Sequence, residues 1–311
     1  MRVLVTGSSG FLGAALVRRL LRDGHHAVGL DPVAGPETIA VGSASDRSLV
    51  RAVLREEQID AVVHAGALHK PQVATHAQDR FVDTNVLGTL VLLEEGRGAG
   101  VDRFVFTSTT SLLIDRGIRA GAAGGATAAA WLDEDHGPLR PRNIYGVTKL
   151  AAEHLCRLHH ELHGLPLVIL RTARFFPEED DRAHRIPQST VNTKVNELLF
   201  RRITLDDVVR SHVLALERAP SLRFDLFLIT ADTPFRPEDG PALIRDAPGV
   251  VERYHPRYRA LFERVGWTMF DRIDRVYSPI RAAERLGFRA STTFDTALDW
   301  LEAGRDPAAL F

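Results

Sequence analysis

Tyr145 and Lys149 are the residues of this 311-residue chain whose types and spacing first suggest chemistry. If they lie on a helix, a spacing of four places both side chains on one face. A free phenol has a pKa of about 10, and a neighbouring ammonium favours the phenolate and lowers that pKa. The pair therefore predicts a base that removes a proton from an alcohol. The alternative is a surface tyrosine and lysine on an amphipathic helix.

A run of serine and threonine hydroxyls follows the apolar residues at 104–106. Parallel sheets bind their ligands at the carboxyl ends of the strands, so Thr109 is predicted to hydrogen-bond to the reacting oxygen of a substrate and orient it. Thr110 is predicted to contact the same substrate. The alternative for most of these hydroxyls is that they cap the turn.

Three glycines, Gly7, Gly10 and Gly13, follow a β-branched run and open a helical pattern. Strand, glycine turn and helix in this order are typical of dinucleotide binding, because the glycines allow the sharp turn and let a pyrophosphate approach the backbone. The helix N-terminus adds about half a positive charge toward the phosphates. A purely structural turn is the alternative. The predicted contacts are Gly7, Ser9, Gly10, Phe11, Leu12 and Gly13.

Asp31 ends the second predicted strand and favours NAD as the cofactor. A carboxylate there accepts hydrogen bonds from ribose hydroxyls and would repel the 2′-phosphate of NADP. No arginine occupies residues 32–36, which adds to this preference. The alternative is that Asp31 starts a turn. Asp46 is predicted to contact the adenine or, alternatively, only to cap the next helix.

The elements that position these residues alternate between strand and helix. The predicted strands cover residues 2–6, 26–30, 61–64, 103–107, 167–171 and 224–229. The predicted helices cover residues 11–22, 46–57, 81–96, 145–163 and 205–217. This alternation predicts an α/β fold, a Rossmann-like doubly wound parallel sheet with a smaller C-terminal substrate lobe. We expect an NAD-binding domain over residues 1–173, joined by 203–232, and a substrate-binding lobe from 174–202 and 233–311.

Two segments interrupt the alternation. Residues 117–130 are almost all glycine and alanine and are predicted to form a mobile loop over the ligand. Residues 174–200 are polar and weakly periodic, and they include an acidic run at 178–181 that would repel a diphosphate unless it points to solvent.

Composition limits the partners. The chain has 39 Lys and Arg against 40 Asp and Glu, so there is no electrostatic case for a nucleic-acid or membrane partner. The single cysteine, Cys156, fits a reducing compartment, and no long apolar run or export signal is present, so a cytoplasmic location is predicted. The histidines lack a matching carboxylate constellation, and no metal is predicted.

Together these motifs resemble the extended short-chain dehydrogenase/reductases, specifically the NAD-dependent nucleotide-sugar epimerase/dehydratase group. The resemblance covers about the first 220 residues. It is carried by the opening segment through Asp31, by residues 64–67 and 83–89, by Thr109 with Tyr145 and Lys149, and by residues 206–209.

The resemblance implies a role for each matching residue. Thr109, Tyr145 and Lys149 would be the catalytic hydroxyl, base and supporting cation, and Lys149 would also hold the nicotinamide ribose. Asn85 would support the helix and an active-site water. The basic residue that meets the pyrophosphate would be His69 or Lys70, which spacing does not separate. The implied cofactor-binding set also includes His64, Ala65, Gly66, Lys70 and Asn85.

The resemblance also implies a homodimer, formed through the long helices at 81–96 and 145–163. Their apolar residues are compatible with such an interface, although core packing alone would explain them. These residues are Val86, Leu90, Leu93, Leu155 and Leu158.

On the substrate side the chain departs from the family pattern. Dehydratases usually follow the catalytic threonine with an Asp-Glu pair, whereas Thr110-Ser111 stands here, so reversible oxidation is favoured over elimination. Asp133 and Glu134 could substitute, but loop acids are usually solvated caps. Arg174 and Arg202 are predicted to clamp a substrate phosphate or carboxylate. The alternative for such arginines is an ordinary surface position.

The sequence therefore predicts an NAD-dependent epimerase or oxidoreductase whose small-molecule substrate is a secondary alcohol on a sugar or nucleotide sugar. One alternative is a dehydrogenase or reductase of a non-nucleotide substrate. Another is a non-catalytic NAD-binding sensor. The substrate itself stays open.

Overall fold

The computed structural model of the protein describes residues 1–120, 127–176 and 188–311. The centre of the predicted loop, residues 121–126, and the acidic run at 178–181 lie outside these residues. In the part of the chain that is described, no helix is both long and apolar enough to cross a membrane.

A seven-stranded, mostly parallel sheet with the strand order β3-β2-β1-β4-β5-β7-β8 confirms the predicted Rossmann-like fold. Its strands are β1 (Arg2–Thr6), β2 (His26–Asp31), β3 (Ala40–Val41), β4 (Ala61–His64), β5 (Arg103–Thr109), β7 (Leu167–Thr172) and β8 (Phe224–Ile229). The strand order reverses between β1 and β4. This switch point is where doubly wound sheets bind their ligands.

The predicted helices of the alternating part begin and end within a few residues of the predicted bounds. They are α1 (Phe11–Arg22), α2 (Arg47–Glu56), α3 (Gln78–Phe81) with α4 (Gly88–Ala99), α6 (Ile144–His163) and α8 (Leu205–Leu222). A short helix, α5 (Arg116–Ala120), forms where the predicted loop at 117–130 begins, so the loop prediction is wrong at this end. The predicted helix at 81–96 is interrupted by a π-helical segment, Val82–Leu87, between α3 and α4. Such segments are frequent at functional sites, and this one contains Asn85.

Other elements were not predicted either. A two-stranded parallel ribbon pairs β6 (Ala130–Leu132) with β9 (Arg275–Tyr277), strands too short to show a pattern. The helix α7 (Thr190–Leu198) lies in the segment described above as weakly periodic. Its buried side carries Asn192, Asn196 and Glu197 as well as apolar residues, which hides the amphipathic stripe.

The chain divides into two compact units, and their boundaries differ from the expected domains. The first unit comprises residues 1–112, 141–171 and 208–227, and the second comprises 113–140, 172–207 and 228–311. Residues 113–140 belong to the second unit because β6 pairs with β9 there. The remaining helices of the second unit are α9 (Gly240–Arg245), α10 (Ala247–Tyr254), α11 (Tyr258–Val265) and α12 (Phe294–Glu302).

Each unit has its own apolar core. In the first unit, Leu4, Val28, Val62 and Phe104 of neighbouring strands pack with Cys156 and residues of α2 and α4. This packing fixes the carboxyl ends of β1, β4 and β5 relative to α6. The predicted catalytic and cofactor-binding residues all lie in this unit.

Candidate dinucleotide and catalytic site

The glycine turn between β1 and α1 has the geometry that the spacing predicts. Gly7 adopts a left-handed conformation with φ of 75°, and a Cβ there would lie 2.7 Å from the Gly66 Cα. A Cβ on Gly13 would lie 2.0 Å from the carbonyl oxygen of Gly7. Gly10 is the N-cap of α1, and no side chain caps this helix. No capping side chain therefore competes for the first N–H groups of α1, as a phosphate site requires.

Asp31 is held directly against this turn. Its Oδ2 accepts a hydrogen bond from the Ser9 N–H at 3.2 Å, and its Oδ1 accepts one from the Val33 N–H at 2.8 Å. The Ser9 hydroxyl donates to the Val33 carbonyl at 2.5 Å. These bonds fix the carboxylate at the end of β2 beside the glycine turn, where the NAD ribose is predicted.

Asp46 caps α2, as the structural alternative predicted. Its Oδ1 accepts from the N–H groups of Ser48 and Leu49 at 3.0 and 3.1 Å. An adenine contact by Asp46 stays a prediction.

The side chain of His64 is buried in the core, which corrects its predicted role as a direct cofactor contact. One ring nitrogen lies 2.6 Å from the Thr6 hydroxyl and the other lies 3.1 Å from the Thr89 hydroxyl. The Thr6 hydroxyl also accepts the Gly66 N–H at 3.0 Å. Since both ring nitrogens are engaged, His64 joins β1 to β4 and supports the loop at Ala65 and Gly66, and only its backbone could meet a cofactor.

Asn85 joins the loop after β4 to α6. Its Oδ1 accepts from the Leu68 N–H at 2.9 Å, and its Nδ2 donates to the Leu68 carbonyl at 2.9 Å and to the Thr148 hydroxyl at 3.0 Å. Because Thr148 directly precedes Lys149, these bonds give the predicted supporting role of Asn85 a physical basis.

Lys70 is exposed at the start of a 3-10 helix, Lys70–Ala74. Its contact with a pyrophosphate stays a prediction.

Thr109 and Tyr145 are both buried, and the Thr109 side chain acts on the Tyr145 phenol, whose pKa it lowers. The Thr109 Oγ1 also accepts the Ser111 N–H at 3.1 Å, which orients the hydroxyl. Burial raises the pKa of Tyr145 to about 12, and Thr109 offsets this rise only in part. Desolvation of the phenol thus outweighs the other effects on its pKa, and the predicted lowering by Lys149 together with the nicotinamide ring stays a prediction.

Lys149 is also buried, with its Nζ 3.9 Å from the centroid of the Phe106 ring. Burial lowers the pKa of this amine to about 8, while Cys156 and Glu153 raise it. Thr110 is buried at the start of a short 3-10 helix, Thr110–Leu113, after β5. The first unit thus brings Thr109, Tyr145 and Lys149 into one buried cluster beside the carboxyl end of β5.

Sequence reasoning missed Glu153 on α6 and Arg171 on β7, charged residues that are buried in the first unit. They form an ion pair with a distance of 2.7 Å between Arg171 Nη2 and Glu153 Oε2. The sequence did hold a sign of Glu153: it follows Lys149 by four residues, as Lys149 follows Tyr145, so all three lie on one face of the helix.

In the second unit, Arg202 is not positioned as the predicted substrate clamp. Its side chain is 1% exposed, and its Nε and Nη2 each lie 2.8 Å from Oε2 of the buried Glu197. A guanidinium paired in the core with its own chain is structural. Arg174 forms a backbone bridge with Arg202, and its Nη1 lies 3.9 Å from Glu197 Oε1. Its substrate contact stays a prediction.

Glu134 is buried in the second unit, contrary to the expectation of a solvated cap. Its Oε1 accepts the Leu228 N–H at 2.8 Å, and burial raises the pKa of this carboxyl. Over the described ranges, no group of three or more His, Cys, Asp and Glu side chains could hold a metal ion.

Two neutral histidines in the first unit make its stability depend on pH. Burial lowers the pKa of His64 to about 3 and that of His212 to about 4, against about 6.5 in an unfolded chain. Both histidines favour the folded state fully above pH 6.5 and progressively less as the pH falls toward their folded values. We expect the free energy of unfolding, measured with urea, to fall by about 3 kcal/mol from pH 7.5 to pH 5.5 through these two groups.

Replacing His212 by glutamine removes one of the two titrating groups and should reduce this loss by about half. The exposed His76 is the matched position, and His76→Gln should leave the loss unchanged. An identical loss in the His212 variant and the native protein would contradict the assignment.

Comparisons with known proteins agree with this geometry. A model of the NAD dependent epimerase/dehydratase family matches residues 3–223. A UDP-glucose 4-epimerase of Lactobacillus helveticus is 31% identical over 250 residues, which cover 70% of this chain and 72% of that protein. The low-salt glycan biosynthesis protein Agl12 of Haloferax volcanii is 31% identical over 203 residues, 60% of this chain and 61% of Agl12. The chain thus matches about three fifths of the length of Agl12.

Among solved structures, a short-chain dehydrogenase/reductase superfamily protein of Agrobacterium tumefaciens with bound NAD superposes with a TM-score of 0.67. It is 24% identical in sequence, and the match covers 97% of this chain and 96% of that one. This likeness supports the fold. Because the family model matches well over half of the chain, the protein belongs to the NAD-dependent epimerase/dehydratase family.

Proposed function

We propose that the protein reversibly oxidises a secondary alcohol of a nucleotide sugar with NAD and, as its net reaction, inverts the configuration at that carbon. The observation that carries the proposal is the burial of Thr109 at the carboxyl end of β5 together with Tyr145 and Lys149, which lie one turn apart at the start of α6. The family is NAD dependent, and its relative in Lactobacillus helveticus is named a UDP-glucose 4-epimerase.

The residues present fit a bound dinucleotide. A Cβ on Gly7 or Gly13 would collide with neighbouring backbone, so these glycines allow the tight turn and the close packing of α1 against it, and the uncapped N-terminus of α1 suits a pyrophosphate. Asp31 offers its carboxylate to the adenosine ribose, and Lys149 would hold the nicotinamide ribose. When bound, NAD would supply the hydride acceptor and a positively charged ring near the phenol.

Residues of the chain itself then accept the proton and orient the substrate. Tyr145 as phenolate accepts the proton of the substrate hydroxyl, while Thr109 hydrogen-bonds to the same oxygen and orients it. The pKa of Tyr145, about 12 from burial, must fall for this step. The charge of Lys149 and the positive ring of the cofactor act in that direction.

The experiment is an assay with UDP-glucose and NAD in which proton NMR follows the sugar and absorbance follows NADH. We expect UDP-galactose to form without sustained accumulation of NADH, because an epimerase returns the hydride to the opposite face. Steady NADH accumulation would instead establish a dehydrogenase. No turnover of UDP-glucose or UDP-galactose would contradict this substrate class.

We also propose a homodimer formed through α6 and the adjoining helices. Val147, Leu158 and Leu162 share one face of α6 by spacing and are 50%, 48% and 65% exposed. Leu93, predicted for this interface, is instead fully buried in the core. The cytoplasmic location stays a prediction.

Replacing both Leu158 and Leu162 by glutamate should convert the dimer to a monomer in sedimentation velocity, because two charges would be buried at the interface. The matched variant is the same pair of substitutions at the exposed Ile39 and Val41 of the β3 region. It should leave the sedimentation coefficient unchanged. A native protein that sediments as a monomer would contradict the dimer.

A further inference from the structure

One buried carboxylate, that of Glu153, connects the three elements around the proposed catalytic cluster. Its Oε1 accepts the Ser108 hydroxyl at 2.6 Å and the Arg171 Nε–H at 3.0 Å, and its Oε2 accepts from Arg171 Nη2 at 2.7 Å. Ser108 directly precedes Thr109 on β5, and Glu153 lies one turn after Lys149 on α6. Both catalytic elements are therefore fixed to β7 through a single side chain.

The charges in this network explain why a carboxylate is needed there. Lys149, Glu153 and Arg171 are 3%, 5% and 5% exposed, so Arg171 is paired with Glu153 away from water while the buried Lys149 lies one helical turn from the same carboxylate. A buried charge without a partner is costly, and a buried lysine gives up its proton readily. Without Glu153, Arg171 would lose its paired carboxylate, and Lys149 would lose the negative charge one helical turn away.

The other titratable groups near Lys149 do not replace this anion. On α6 these are Tyr145 and Cys156, and burial raises the pKa of both, so both are neutral near pH 7. On β4 the facing group is His64, whose pKa of about 3 leaves it uncharged. Among the described groups that act on Lys149, Glu153 is thus the one carboxylate.

We propose that Glu153 is a positioning residue that keeps Lys149 charged and aligned for the reaction, with Ser108 and Arg171 holding the carboxylate in place. The inference rests on the proposed function, since it assigns Lys149 a working role. Glu153 acts through Lys149 and touches neither substrate nor cofactor in this scheme.

Two variants test the proposal because they should shift, in opposite directions, the pH at which activity is lost on the alkaline side. Glu153→Gln removes the anion, so the alkaline loss of activity, expected near the Lys149 pKa of about 8, should move to lower pH. The shift should be about one pH unit. Arg171→Met removes the other cation near Glu153, which favours the charged form of Lys149. The alkaline loss of activity should therefore move to higher pH. A merely structural role predicts parallel losses of activity at every pH in both variants, and that result would overturn the proposal.

Glu95→Gln is the matched control. Glu95 is also paired with arginine, its oxygens lying 2.7 Å from Arg47 Nη1 and 2.8 Å from Arg51 Nε, but it does not act on Lys149. The Glu95→Gln variant should lose activity at the same alkaline pH as the native protein. If Glu153→Gln does not fold, Glu153→Asp replaces it. The aspartate keeps the charge and should keep the native inflection, and a shift as large as that expected for glutamine would overturn the proposal.

The affinity for NAD⁺, titrated by calorimetry against pH, separates this inference from the proposed function. It requires no turnover and responds to Lys149 if that residue holds the nicotinamide ribose. If the pH at which the affinity for NAD⁺ falls shifts as predicted in the variants but no nucleotide sugar reacts, the positioning role stands and the proposed reaction fails. If the sugar is epimerised but the variants shift neither the pH of activity loss nor the pH at which NAD⁺ affinity falls, only the positioning role fails.

Discussion

Tyr145→Phe is expected to lower the rate of sugar turnover by about 10²- to 10⁴-fold, the contribution usual for a general acid–base group. The substitution removes one oxygen from a buried site and leaves the ring, so the cavity and its packing stay nearly unchanged. NAD binding should therefore remain close to that of the native protein. The measurement is the epimerisation rate by NMR, with calorimetry for the cofactor.

Tyr254→Phe is the matched control, because it removes a hydroxyl that donates to Asp239 at 2.6 Å within the second unit. Its turnover should stay close to native. If Tyr145→Phe keeps full turnover, the proposed chemistry is wrong. If the native protein binds NAD but turns over no nucleotide sugar, and Tyr145→Phe leaves its biological effect unchanged, a non-catalytic NAD-binding sensor is favoured.

Gly13→Ala is expected to abolish NAD binding and to lower the free energy of unfolding by about 3 kcal/mol or more. The new Cβ would lie 2.0 Å from the Gly7 carbonyl oxygen, which is backbone and cannot rotate away. The turn must open or α1 must shift from β1, and either change disrupts the N–H groups that the pyrophosphate needs. Urea unfolding and NAD titration measure the two effects.

Gly98→Ala provides the comparison within the same unit. Gly98 lies in α4, and a Cβ there would meet no atom within 4 Å. The alanine should be neutral or stabilise the protein by up to about 1 kcal/mol, because it has the higher helix propensity. Equal effects of the two substitutions would show that Gly13 is not required by close packing.

Much of the first unit could be predicted from the sequence because its signals are local. The order of strand, glycine turn and helix at residues 2–22 specifies its own geometry, since left-handed Gly7 and the close approach at Gly13 admit no side chain. Asp31 follows directly from its place at the end of β2. The helix bounds followed from apolar periodicity wherever the buried face is apolar.

The prediction failed where polar residues are buried. Helix α7 was missed because its buried face includes asparagines and a glutamate, so hydropathy gives no stripe. Arg202 resembled a solvent-accessible cation in sequence, yet Glu197 neutralises it inside the second unit. Neither partner identifies the other from sequence, because side-chain burial depends on packing between elements.

The sequence by itself determined the order of the elements, the dinucleotide turn and the identity of the catalytic candidates, since each depends on residues close together in the chain. Only the tertiary structure decided their electrostatics. Burial moved the pKa of Tyr145 upward and that of Lys149 downward, and packing brought Glu153 to Ser108 and Arg171. Desolvation and charge pairing depend on what surrounds a group in space, and that environment is created only when distant segments pack together.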